Sequence, residues 1–217
     1  MYITKLIMIG ELMDMQKTME IMKIQSEVEN NQVKNQVIEE AMRTILSELG
    51  EDVTREGLLD TPRRVAKMYR EVFQGVGVDP ETALTTTFAE DYDGIVTVKD
   101  ITFYTFCEHH IIPFFGKAHI GYIPNGRVVG LSKFARLVEL TAQRPQVQER
   151  MTTQIANAIE TVLEPKGVIV TLEAEHLCMC ARGIKKPGTK TVTTIKKGLF
   201  ANEVSLCEEF ERSISRS

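Results

Sequence analysis

Val168-Ile169-Val170-Thr171-Leu172-Glu173-Ala174-Glu175-His176 runs directly into Leu177-Cys178. Apolar residues at every second position, rich in β-branched side chains, predict a β-strand from Val168 to Leu177. The break Pro165-Lys166-Gly167 sets its start. Val168, Val170, Leu172, Ala174 and His176 fall on one face. With the strand carried to its end, His176 and Cys178 stand two positions apart. Their side chains then share that face and point into one site.

Working outward, the period changes. Val147, Met151, Ile155, Ile159 and Val162 form one stripe of a helix predicted over Gln146 to Leu163. Arg144-Pro145 separates it from another helix, Ser132 to Gln143. Before these lie three strand-like runs: Ile95 to Phe106, Lys117 to Pro124 and Arg127 to Gly130. The turn Pro124-Asn125-Gly126 joins the last two. Thr189 to Phe200 supplies a final strand. Towards the N-terminus, Val37, Ile38, Ala41, Met42, Ile45, Leu46 and Leu49 recur at helical spacing, with Gly50 as the stop. Thr61-Pro62 reads as an N-cap with proline in the first turn, opening a helix that buries Val65, Met68, Tyr69, Val72 and Phe73. Asp79 to Asp93 is acidic and turn-rich and reads as a loop. Helices, strands, helices, strands in that order predict an α+β fold with an antiparallel sheet.

Six of the ten methionines lie between Met1 and Met22. Met15, Met19, Met22, Ile21 and Ile24 would make one stripe of a helix, although a loosely held extension explains the segment as well. The chain of 217 residues carries a formal charge of −4, which argues against non-specific nucleic-acid binding. No apolar run reaches the roughly 18–20 residues a membrane span needs. No secretory cleavage site follows the start. Four cysteines beside histidines read as metal ligands in a reducing cytoplasm.

The chemistry concentrates in two places. Cys107-Glu108-His109-His110 and His176-Leu177-Cys178 hold three of the four histidines and two of the four cysteines. Thiolate and imidazole are the ligands Zn²⁺ prefers, and Cys-x-x-His lets one turn present two of them. Either cluster alone occurs by chance or as core packing; the pair points to zinc. With Cys107, His110 and Cys178 as ligands, a tetrahedral ion keeps one position open for water. His109, His176 and Cys180 each stay open as a fourth ligand, which would make the site structural. Gln148-Glu149-Arg150 opens a helix, and a carboxylate there can read the N1–H and 2-amino edge of guanine. A solvated glutamate favoured by the helix dipole is the plainer alternative. Ser132 and Lys133 begin another helix, with Arg136 one turn on; Arg182 and Arg64 lie elsewhere. Together they suit an anion, and singly each suits an ordinary charged surface. His119 reads as structural.

These segments, in this order, resemble GTP cyclohydrolase I. The likeness rests on Thr61-Pro62-Arg63-Arg64-Val65, Cys107-Glu108-His109-His110 with Pro113-Phe114, and His119-Ile120-Gly121-Tyr122-Ile123-Pro124. It continues through Gly130-Leu131-Ser132-Lys133, Arg144-Pro145-Gln146-Val147-Gln148-Glu149-Arg150 and His176-Leu177-Cys178-Met179-Cys180-Ala181-Arg182-Gly183. It runs from about Val37 to Phe200. The resemblance implies a tunnelling fold, with sheets of several subunits joined into a barrel, and a homodecamer with active sites at subunit interfaces. It divides the chain into an extension over 1–33, a helical region over 34–60 and a catalytic domain over 61–217. It implies conversion of GTP and water to 7,8-dihydroneopterin triphosphate and formate, the entry to folate and pterin synthesis. By position, Cys107, His110 and Cys178 would hold zinc. Glu149 would hold the guanine edge with Gln148 beside it. Ser132, Lys133, Arg136, Arg182 and Arg64 would hold the triphosphate, and His109 and His176 would be the acid–base pair. Two other readings stay in view: another pterin- or deazapurine-handling enzyme of the same fold group, and a binding protein with a structural zinc.

Overall fold

The computed structural model describes Lys17, Glu20 and residues 35–215. The methionine stripe expected before residue 25 lies outside the described residues. The chain divides into two units between Arg70 and Glu71.

In the first unit the helix α1, described over 35–48, ends as its sequence predicts. Gly50 takes φ +87°, and the amides of Gly50 and Glu51 cap the carbonyls of Ser47 and Leu46. A short helix α2 (Glu56–Leu59) precedes α3 (Thr61–Val72). Thr61 is not the N-cap expected. Its hydroxyl donates back to Gly57 O at 3.3 Å, because α2 already leads into α3. Met68, expected inside, is exposed.

The second unit is built on a sheet in the order β5-β2-β3-β6-β7. Its strands are β2 (Val96–Cys107), β3 (Pro113–Ile123), β5 (Pro145–Gln146), β6 (Gly167–His176) and β7 (Lys190–Gly198). All pairings are antiparallel except β5 with β2. Mixed helices around a mainly antiparallel sheet make this an α+β fold. Two expectations need correction. The segment Asp79–Asp93 holds a 3₁₀ turn and a strand β1 (Thr87–Ala89), and β4 (Arg127–Val129) pairs with β1 rather than returning on β3. Three-residue strands are too short to show a period.

The helices α4 (Ser132–Ala142) and α5 (Gln148–Leu163) cover one face of the sheet. Phe134, Leu137, Met151, Ile155 and Ile159 meet Phe103, Phe114, Ile120, Val168, Val170 and Leu172 in the larger core. After β6 a single helical turn, α6 (Leu177–Cys180), intervenes; β7 leads to α7 (Leu199–Asn202) and α8 (Val204–Ser215). Phe200, Cys207 and Phe210 close over Ile169 and Ile123 in a second, smaller core. Strand β6 is therefore buried on both faces over much of its length, more than half-buried alternation requires. Cys207, to which the sequence assigned no role, packs there and donates its thiol hydrogen to Phe200 O.

The sheet also aligns the two chemical clusters. Phe106 at the end of β2 pairs with Pro113 at the start of β3, and Phe114 pairs with His176 at the end of β6. Cys107 and His176 thus leave the sheet at the same end, two strands apart.

Candidate active site and metal centre

Cys107 closes β2 and turns at once. Its amide donates to Ile112 O and its carbonyl accepts from Ile111 N, in a tight loop with Ile111 at φ +52°. The amide of Glu108 donates to Gln146 O, pinning this turn to β5. The turn presents Cys107 Sγ and His110 Nδ1 4.0 Å apart. Cys178 arrives from α6. Strand β6 stops at His176, so the i, i+2 argument fails in its geometry; one helical turn, and not a shared strand face, carries Cys178 inward.

One ligand atom from each of Cys107, His110 and Cys178 lies within 4.8 Å of the other two. Tetrahedral zinc, with bonds of about 2.0–2.3 Å, separates its ligand atoms by roughly 3.5–4 Å. Two thiols and an imidazole at this spacing fit such an ion after a contraction of about an ångström. Burial, then the charge and hydrogen bond of Cys107, push the Cys178 thiol up, while Arg182 pulls it down. A bound cation would favour the thiolate. Among the described residues, no further His, Cys, Asp or Glu joins this group. Cys180 points its thiol at Glu175 Oε1, 3.2 Å away, and His176 Nε2 is engaged with Gln148. His109 Nδ1 comes within 3.7 Å of Cys107 Sγ, but the side chain is exposed.

Beside the three donors lies a cavity of about 200 Å³, lined among others by Cys107, His109, Gln148, Glu149, His176 and Cys178. A larger one of about 350 Å³ lies over β2 against α4, but it contains no histidine or cysteine, so the chemistry belongs to the smaller. The His176 ring stacks on Phe114, centroids 4.4 Å apart and planes 10° from parallel. Burial lowers the His176 pKa, and the Glu149 carboxylate opposes this.

The first turn of α5 sends three side chains three ways. Gln148 is 1% exposed and reaches the sheet, where its Nε2 donates to Leu172 O and Thr191 O. Its Nε2 is thus engaged within the protein, and its Oε1 faces His176 Nε2 at the cavity. Glu149 lines the cavity. Arg150 pairs with Glu108 and donates to Gln146 Oε1. Arg150, Glu108 and Phe114 carry no role in the sequence reading. Their only signal was adjacency to the two clusters.

The expected triphosphate cations do not gather here. Arg182 lies close enough to Cys178 for its charge to act on the thiol. Lys133 instead donates to Thr85 Oγ1, and Arg136 lines a different cavity with Thr82 and Glu139. The 11-residue α4 runs from Ser132 to Ala142, whose carbonyl accepts from Thr105 near the site. Ser132 is then roughly 15 Å from that end. Arg64 belongs to the first unit, where its guanidinium donates to Thr61 Oγ1 and Gly57 O.

The family model of GTP cyclohydrolase I matches residues 38–215. The chain belongs to the GTP cyclohydrolase I family. Its match extends through α8, beyond the Phe200 limit read from the motifs. GTP cyclohydrolase 1 of Bacillus pumilus (strain SAFR-032) is 54% identical over 176 residues, 81% of this chain and 93% of the relative. That of Streptococcus mutans serotype c (strain ATCC 700610 / UA159) is 57% identical over 173 residues, 79% and 90% of the two chains. That of Halalkalibacterium halodurans is 56% identical over 176 residues, 81% and 94%. Among the described residues, no helix is long and apolar enough to cross a membrane.

Proposed function

We propose that this chain opens the guanine imidazole ring of GTP at C8, converting GTP and water to formate and 7,8-dihydroneopterin triphosphate. The observation that carries the reading is one cavity flanked by Cys107, Cys178, His176 and Glu149, with His110 beside it. Glu149 accepts the N1–H and 2-amino hydrogens of guanine and so sets the register of the base. His176 gives a proton to the ring nitrogen next to C8, and His109, at the exposed rim, serves the later proton transfers. Cys107, His110 and Cys178 would hold Zn²⁺, which would supply a water made nucleophilic near neutral pH by a lowered pKa. Three donors, with no fourth among the described residues, favour this over a structural zinc.

Arg182 takes one end of the triphosphate. Ser132, Lys133, Arg136 and Arg64 act on a neighbouring subunit's substrate. Two observations support that division for the residues of α4: its length, and a cavity below the ~300–1,000 Å³ of ordinary small-molecule sites. The edge position of β7, which pairs only with β6 among the described strands, supports its pairing with a second subunit. On this reading the sheets join into the barrel of a tunnelling fold, the chain assembles as a homodecamer, and the catalytic domain spans 61–217. Free thiols throughout suit the cytoplasm.

The test is a GTP assay that follows formate and dihydropterin absorbance, with and without a chelator. Chelator-sensitive release of both is expected, with metal and turnover lost together in Cys107→Ser, His110→Ala and Cys178→Ser. GTP binding without turnover in a zinc-loaded sample would point to the binding-protein reading. Preference for a non-phosphorylated pterin would point to another enzyme of the fold group.

A further inference from the structure

We infer that Gln148 is a positioning residue that fixes the tautomer of His176, leaving Nδ1 as the only ring nitrogen able to exchange a proton with the substrate. This rests on the proposed role of His176 and deepens it.

The argument starts from donors and acceptors around a buried amide. Gln148 Nε2 lies 3.1 Å from Leu172 O and 3.0 Å from Thr191 O. Both are backbone carbonyls and can only accept. Turning the amide over would set Oε1 against two carbonyl oxygens in a buried place, so the orientation is forced. The neighbouring hydroxyls agree. Thr152 donates to Gln148 O at 2.8 Å, so it accepts from Thr193 at 2.6 Å, and Thr193 Oγ1 is left to accept from Gln148 Nε2 at 3.1 Å. Gln148 Oε1 is then an acceptor facing His176 Nε2, 2.8 Å away. The imidazole must carry its hydrogen on Nε2.

An amide oxygen takes up no proton at ordinary pH, so this network cannot relay one. Nε2 keeps its hydrogen in both the neutral and the cationic ring. Proton transfer is confined to Nδ1, which has no hydrogen-bond partner among the described residues. Phe114 fixes the plane of the ring by stacking, and Gln148 fixes which nitrogen faces away.

The zinc-loaded full-length protein, labelled with ¹⁵N-histidine, tests this by solid-state NMR, with His176→Asn to assign the signals. The expected neutral ring shows a protonated Nε2 and a bare Nδ1. A hydrogen on Nδ1, or a mixture of tautomers, overturns the inference. Gln148→Met keeps the length and removes the acceptor. It should leave bound zinc and the KM for GTP nearly unchanged, mix the tautomers and lower kcat by about 10–100-fold. An unchanged tautomer and kcat in that variant also overturns it. If Gln148→Met does not fold, the wild-type spectrum still decides. Absence of GTP turnover in the wild type would defeat the proposed function without altering the tautomer, so the two failures are distinct.

Discussion

Arg150 and Glu108 form an ion pair that ties the first turn of α5 to the turn carrying Cys107 and His110. The hydrogen bond from Arg150 is the largest influence holding the Glu108 carboxyl below its usual range. The pair is partly exposed, so its worth to global stability is small. Its worth to the site is positional. Arg150→Met should barely move the unfolding midpoint but speed zinc loss to a chelator about tenfold. Equal rates of zinc loss in the variant and wild type would remove the clamp from the account.

His176→Ala separates ligand from acid. The variant should keep one zinc per chain, by elemental analysis, and lose turnover by roughly 10²–10⁴-fold. Loss of the metal with the activity would make His176 a ligand instead.

The proposed division of the site between subunits predicts complementation. Cys178→Ser and Lys133→Ala should each be inactive alone. Co-expressed, they should regain about a quarter of wild-type turnover, since a random assembly joins two intact halves at that frequency. No recovery in a verified mixed oligomer would place Lys133 and Cys178 in the same chain's site.

His119 gives a pH dependence away from the metal. Its Nδ1 accepts the Asp100 amide at 3.2 Å, beside a register shift in β2. Burial, the largest influence, lowers its pKa; Asp100 and Glu173 oppose this, and Lys117 and Lys99 add to it. The unfolded chain therefore takes up a proton near pH 6.5, before the folded one does. The stabilisation is fully present above that pH and is lost as pH falls through the lower folded value. His119→Gln should flatten this loss in denaturant titrations between about pH 7.5 and pH 5. A wild-type slope in the variant would assign it to other groups.

Removing residues 1–33 should leave kcat within about twofold, as for an extension outside the catalytic fold. The family match begins only at residue 38. A large loss of turnover would give the segment a role in assembly or regulation.

The sequence made the long elements legible because they bury continuous stripes: Met151, Ile155 and Ile159 on α5, and Val168 to Ala174 on β6. It hid β1, β4 and β5, which at two or three residues have no period to display. In the site, Cys107, His110 and Cys178 could be found from ligand chemistry, but not the route by which Cys178 arrives. A strand and a helical turn differ little over Leu177-Cys178-Met179-Cys180 as sequence. The partners of Gln148 were invisible for another reason. They are mainly backbone carbonyls of Leu172 and Thr191 on two other strands, and carbonyls leave no trace in residue identity.

Gln148, Glu149 and Arg150 follow one another without a gap, yet one turns to His176, one to the cavity and one to Glu108 in the Cys107 turn. Their directions are set by a single quantity, the angle at which α5 begins. A deletion in Arg144-Pro145, or a compound wedged under that turn, would displace all three together. A change in that angle would therefore disturb all three contacts at once, where single substitutions disturb them one at a time. The enzyme should fail there as a whole, which makes the start of α5 a single point of attack for an inhibitor that never touches the nucleotide.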